Sequence, residues 1–341
     1  MTQMIGCAHT ARLRPGARGS AASTMPGGHW RGSAAGMAAA SGGHPGDGEA
    51  VGGAPPACEQ AHNPPHTLAA QGVPLLGAAL MVADLEQHRD WLVTGRRDVE
   101  IQDPCLPEVL DGDWRALARR ARALLAGHGG RVGIHGPFLD LSLAPFDRRA
   151  RELTLERLRQ GLAFAAELEA THMVVHSPFL SFGHGAYTFQ PAARRARELA
   201  AARAVIEALL PLCVPIGCML VIENIADGSP LPLLDLVRSI GSPYVQLSLD
   251  TGHATIMQVL GAPAPDQWVR EAGALLAHLH LQDTDGALDR HWAPGDGSIN
   301  WFALFEALGE LQQQPRLLLE LDDHRQIPRG AAFLAGRGLA R

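Results

Sequence analysis

His278-Leu279-His280-Leu281-Gln282-Asp283 alternates polar and apolar residues with the period of two that a β-strand imposes, so its two faces meet different surroundings. The polar face carries His278, His280 and Gln282, and the strand runs on into a loop with Asp289-Arg290-His291. Imidazoles and carboxylates collected at one strand tip are the ligands a divalent cation requires. A lone histidine at a strand end is more often a hydrogen-bonded core residue, so the reading depends on whether other strands end alike.

From Val73 onward, short apolar runs alternate with longer amphipathic ones, the βαβα signature of a parallel sheet covered by helices. The strands are expected at Pro74–Leu80, Arg97–Gln102, Arg131–His135, His172–His176, Met219–Glu223, Val245–Asp250, Ala277–Leu281 and Arg316–Glu320. Helices are expected at Asp84–Val93, Asp113–Ala126, Arg149–Leu168, Pro191–Leu210, Leu231–Ile240, Asp266–Leu276, Trp301–Leu311 and, briefly, after Pro328. Eight strand–helix units fit a (β/α)8 TIM barrel, whose usual size is ~250 residues. An open doubly wound sheet is the alternative, but no G-x-G-x-x-G follows any strand.

In such a barrel every strand's carboxyl end opens on one face, where its side chains converge. Here those ends are His135, His176, Glu223, Asp250 with His253 three residues on, His280 and Glu320. Glu223, Asp250 and Glu320 each follow an apolar run. An unpaired buried carboxylate costs several kcal/mol, so these three need a cation or a proton. With no lysine in the chain and no arginine at these strand ends, a divalent metal is the economical partner. Glu100, Gln102 and Asp103 are read as loop residues after the second strand, with a substrate contact as the alternative.

Composition sets further bounds. All 29 basic residues are arginine, which excludes Schiff-base aldolase chemistry and a P-loop lysine. The formal net charge of -6 gives no basic nucleic-acid footprint. No run of 18 apolar residues exists to span a membrane. Cys7, Cys58, Cys105, Cys213 and Cys218 are odd in number and lack C-x-x-C spacing, as expected of a reducing, cytoplasmic setting. Residues 1–72, rich in Gly, Ala, Ser and Pro and without an acidic residue before Asp47, are read as a disordered extension; Met25 and Met37 are alternative starts. The barrel domain is expected over 73–341.

The motifs His135-Gly-Pro-Phe, Val-Ile-Glu223-Asn, Leu-Asp250-Thr-Gly-His253, His280-Leu-Gln-Asp283, Asp289-Arg-His291 with Pro294-Gly-Asp-Gly-Ser-Ile, and Leu-Leu-Glu320 together resemble the xylose-isomerase-like TIM barrels, over about residues 73–322. That superfamily holds sugar and sugar-phosphate isomerases and epimerases, and the endonuclease IV type of apurinic-site nuclease. The epimerase resemblance implies that Glu223, Asp250, His280 and Glu320 bind one Mn²⁺, Mg²⁺ or Co²⁺ and that Glu223 and Glu320 move the proton. It also implies that His253 and Arg290, with His135, hold the substrate. The nuclease resemblance implies that His135, His176, His253, Asp289 and His291 join those four to hold three Zn²⁺ against a phosphodiester.

Both branches fit the ligand-type residues, and the departures separate them. Leu75-Leu-Gly-Ala-Ala-Leu80 lacks the histidine that follows the first strand in the nucleases, Gly252 stands where they usually carry Cys, and Ile225-Ala-Asp-Gly-Ser-Pro does not match their loop. Phe138-Leu-Asp-Leu and Phe179-Leu-Ser-Phe-Gly-His184-Gly carry no Arg to grip a DNA backbone. The isomerase or epimerase branch is therefore favoured, with a small sugar as partner rather than nucleic acid. Retention of both candidate bases argues against a barrel that only binds, and the helix surfaces leave a homo-oligomer open.

Overall fold

The computed structural model describes residues 72–179 and 192–341. Eight parallel strands close into a barrel in sequence order: β1 (Leu76–Leu80), β2 (Val99–Ile101), β3 (Val132–His135), β4 (His172–His176), β5 (Met219–Glu223), β6 (Val245–Asp250), β7 (Leu276–Leu281) and β8 (Arg316–Leu319), with β8 paired to β1. The TIM barrel read from the sequence is the observed fold, and β4, β5 and β6 have the expected bounds. The extension 1–72, with Cys7 and Cys58, lies outside the described residues apart from Gly72. So does most of the Phe179-to-Gly185 loop.

Helices cover the strands on the outside. The longest, Arg148–Glu167, is capped by Asp147, whose Oδ1 accepts from the amides of Arg149 and Ala150 at 2.8 and 3.1 Å. It buries Leu158, Leu162 and Ala165, spaced on one helical face, against the sheet. A helix at Thr251–Val259, directly after β6, was not expected from the sequence. Thr-Gly-His-Ala-Thr has little helix propensity, and the segment is started instead by Asp250, whose Oδ1 accepts from the His253 amide at 2.6 Å. The expected Pro191–Leu210 helix is two, Ala192–Glu207 and Leu210–Ile216. Among the described residues no single helix is long and apolar enough to cross a membrane. Cys105, Cys213 and Cys218 are free and buried.

Two local features aim side chains into the barrel. In β7 the register against β6 jumps at a bulge: Leu247 faces Leu276, but Ser248 faces His278 and Asp250 faces His280. A one-residue slip in a strand turns every later side chain to the other face, so the bulge at Ala277 puts both histidines inside. Gly133 on β3 makes room for an imidazole from β4: a Cβ there would lie 1.8 Å from Cε1 of His172.

Gly133→Ala is expected to destabilise the barrel by about 1–3 kcal/mol, since the methyl must displace a fully buried ring. A denaturant midpoint equal to wild type would show that the ring can leave its seat at no cost.

Candidate metal centre at the mouth of the barrel

The strand ends named in the sequence do converge. Glu223, Asp250, His280 and Glu320 each offer a ligand atom within 4.8 Å of the others. On one side His135, His176 and Glu223 form a second such group; on the other His253, Asp289 and His291 form a third. Glu223 is shared by the first two. All nine ligand-type residues foreseen by the nuclease resemblance thus lie in three adjoining groups. Arg290 is not among them: its guanidinium reaches Asp285 Oδ2 at 2.8 Å and lies 5.1 Å from the Trp292 ring.

Spacing and burial decide whether these donors suit a metal. His135 Nε2, His176 Nε2 and Glu223 Oε2 are 3.4, 3.5 and 3.6 Å apart, and Glu223 Oε2 is buried without a hydrogen bond. Two ligands ~2.1 Å from a tetrahedral ion lie ~3.4 Å apart, so the three atoms fit a common cation. In the third group Asp289 Oδ2 is 3.2 Å from Nε2 of both His253 and His291. At the centre, His280 Nδ1 is 2.8 Å from Glu223 Oε1 and 3.2 Å from Glu320 Oε2. Two carboxylates facing one ring nitrogen require a positive charge between them, either a proton or a metal.

The rings are oriented from outside the groups. His135 Nδ1 lies 3.0 Å from the Gly136 carbonyl, His253 Nδ1 2.9 Å from the Asn224 carbonyl and His291 Nδ1 3.3 Å from the Glu320 carbonyl. Donation of Nδ1–H to these oxygens leaves each Nε2 lone pair turned to the site, the usual support for a metal-binding histidine. Gln282 braces the carboxylates: its Nε2 donates to Asp289 Oδ1 at 2.7 Å and to Asp250 Oδ1 at 3.2 Å, and its Oε1 accepts from the His291 amide at 2.9 Å. A Cβ on Gly252 would lie 2.3 Å from the Gln282 side chain. Gly252, a departure from the nuclease pattern, is what gives Gln282 its place.

Three contributors, Glu100, His172 and His278, were not assigned to the metal site from the sequence, although His278 stood out on its strand's polar face and Glu100 as a weaker candidate. Glu100 is not a loop residue but the centre of β2, fully buried, with His280 Nε2 at 2.9 Å from its Oε1. His172 Nε2 and His278 Nε2 lie 2.9 and 3.2 Å from its Oε2. The polar middle residue of Val-Glu-Ile, within a period-two strand, was the available signal. Gln102 follows the strand and donates to Glu320 Oε1 at 2.8 Å, whereas Asp103 is structural, its Oδ2 accepting from the Val82 amide at 2.7 Å.

The electrostatics follow from enclosure. Burial pushes the Asp250 carboxyl up to about 6, and that of Asp227, hydrogen-bonded to Ser177, up to about 7. Burial also drives His176 down to about 3, leaving it neutral and ready to act as a ligand. For His253, His280 and His291 burial acts in the same direction but is overcome. Asp250 and Asp289 raise His253 well above its usual value, Glu320, Glu100 and Glu223 do so for His280, and Asp289 lifts His291 to about 10. Glu223 and Asp289 are held well below the usual carboxylate range in spite of burial, chiefly by His280 and His253.

His135 is likewise raised in spite of burial, by Cys105 and Glu223, so a cation entering these groups must displace protons from His135, His253, His280 and His291. Its apparent affinity is expected to tighten as pH rises from 6 to 8, by about tenfold per pH unit for each proton displaced. Calorimetric titration with Zn²⁺ or Mn²⁺ in two buffers of different ionisation enthalpy reads both the affinity and the protons released. An affinity independent of pH would contradict the assignment.

The family model described as xylose isomerase-like TIM barrel matches residues 95–338. The uncharacterized protein MJ1311 of Methanocaldococcus jannaschii is 28% identical over 183 residues, 53% of this chain and 60% of the relative, so the chain spans little more than half of it. A D-psicose 3-epimerase of Enterocloster bolteae is 34% identical over 87 residues, 26% of each chain. Among solved structures, the TTHB071 protein from Thermus thermophilus, soaked with ZnCl2, is 26% identical and superposes with a TM-score of 0.60 over 78% of this chain and 99% of its own. With the closed barrel, the strand-end site and a family match over most of its length, the chain belongs to the xylose isomerase-like TIM barrel family.

Proposed function

We propose that the protein is a divalent-metal-dependent isomerase or epimerase of a sugar or sugar phosphate, working in the cytoplasm on a small molecule rather than on nucleic acid. The observation that carries this reading is the meeting of two carboxylates, Glu223 from β5 and Glu320 at the end of β8, at one nitrogen of His280, 2.8 and 3.2 Å away. Glu223, Asp250, His280 and Glu320 would hold the metal. A bound divalent cation supplies Lewis-acid polarisation of a substrate carbonyl, which acidifies the neighbouring C–H.

The residues themselves handle the proton. Glu223 Oε2 has no hydrogen bond, so a lone pair remains to accept one. Glu320 is oriented by the Gln102 amide at Oε1 and keeps Oε2 beside His280. With the reacting carbon between the two carboxylates, one would remove the proton and the other return it to the opposite face, inverting that centre; return to the adjacent carbon, with a hydroxyl proton passing between the two oxygens, would isomerise it. His135 and His253 would hold substrate hydroxyls. Phe138, buried and stacked at 4.0 Å on His176, adds an apolar face beside the site. Similarity to a D-psicose 3-epimerase supports a ketose as substrate class.

One observation favours a second reading. The two flanking groups have metal-ligand spacing of their own, and three cations together would suit hydrolysis of a phosphodiester in abasic DNA. Elemental analysis of the purified protein separates the two: near one metal per chain supports the isomerase, near three the hydrolase. A panel of ketoses and ketose phosphates in D2O is expected to take up deuterium at the carbon beside the carbonyl, while an abasic oligonucleotide stays intact. Glu223→Gln and Glu320→Gln are each expected to lower exchange by about 10²–10⁴-fold with metal still bound. Unchanged exchange in either variant would remove that residue from the proton path.

A further inference from the structure

Behind His280, on the side away from the mouth, both oxygens of Glu100 are occupied by imidazoles. Oε1 is hydrogen-bonded to His280 Nε2 at 2.9 Å and Oε2 to His172 Nε2 at 2.9 Å, while His278 Nε2 lies 3.2 Å from Oε2 without hydrogen-bond geometry. All four side chains are fully buried, so no water competes. Each supporting ring is itself fixed. His278 Nδ1 meets Ser248 Oγ at 2.8 Å, across the pairing that the β7 bulge creates. His172 sits in the space that Gly133 leaves.

An ionised carboxylate only accepts hydrogen bonds, so the nitrogen facing Glu100 must carry the proton. For His280 that nitrogen is Nε2, which leaves Nδ1 as the lone pair turned to Glu223 and Glu320. The other oriented rings differ: His135, His253 and His291 are backed by neutral backbone carbonyls and face the site through Nε2. Among these four, His280 alone is backed by a carboxylate and presents its nearer nitrogen. An anionic acceptor raises the basicity of a ligand ring more than a carbonyl does.

We propose that Glu100 is a positioning residue for the metal centre: it fixes His280 as an Nδ1 ligand and strengthens it, and His172 and His278 hold Glu100 in place to do so. The inference rests on the reading of His280 as a metal ligand. A carboxamide at this position must turn N–H groups toward an N–H donor, so Glu100→Gln forces His280 or His172, the two rings hydrogen-bonded to it, to change tautomer.

The test uses Zn²⁺ alone on the full chain. In wild-type protein labelled with ¹⁵N-histidine and loaded with Zn²⁺, two-bond ¹H–¹⁵N spectra, with His280→Asn to assign the ring, are expected to show His280 protonated at Nε2. Competition with a chromophoric chelator is expected to show Glu100→Gln binding Zn²⁺ tenfold to a hundredfold more weakly. A His280 ring protonated at Nδ1, or an affinity in Glu100→Gln within twofold of wild type, overturns the proposal. If His280→Asn binds Zn²⁺ as tightly and in the same number as wild type, the reading of His280 as a ligand fails instead. Should Glu100→Gln not fold, the wild-type spectrum decides by itself.

Discussion

One imidazole lies among three carboxylates. His280 meets Glu100 through one nitrogen and Glu223 and Glu320 through the other, all within 3.2 Å and all buried. Removing one carboxylate charge from water costs several kcal/mol unless it is paired, and three around a neutral ring could not be tolerated. A positive charge at the mouth is thus a condition for the barrel to close in this form. Protons on His135, His253, His280 and His291 can supply it, and so can a metal, which is why metal binding and proton release are two sides of one balance.

The scaffold meets that condition with small adjustments of backbone. Gly133 and Gly252 give up side chains so that His172 and Gln282 fit, and the β7 bulge turns His278 and His280 inward together. Gln282 then ties Asp250, Asp289 and the His291 backbone into one unit, so the loop after β7 is braced against β6. The interior of this barrel is accordingly polar well below the strand ends, since His172 opens β4 and buried Arg316 opens β8, and the apolar core lies mainly between strands and helices.

The same arrangement explains how one family can host different chemistries. The central four residues suit a single cation, and the neighbouring groups, one of which shares Glu223 with them, have ligand spacing of their own. Arg290, tied to Asp285, stands apart from these groups, so a substrate that uses it must first draw it from that pair.

The strand ends were legible in the sequence because each follows an apolar run, and a parallel barrel necessarily brings such ends to one face. His135, His176, Glu223, Asp250, His280 and Glu320 were found in that way, and with them the fold. Glu100, His172 and His278 were not, because what joins them is contact across 72 residues between Glu100 and His172 and 180 between Glu100 and His280. The helix after β6 escaped for a related reason: Asp250 starts it, and the local composition does not. Periodicity along the chain determined where strands lie and which residues end them. Barrel closure, the β7 bulge and the space left by two glycines decided which buried groups touch, since register and packing are set between segments and leave no mark within any one of them.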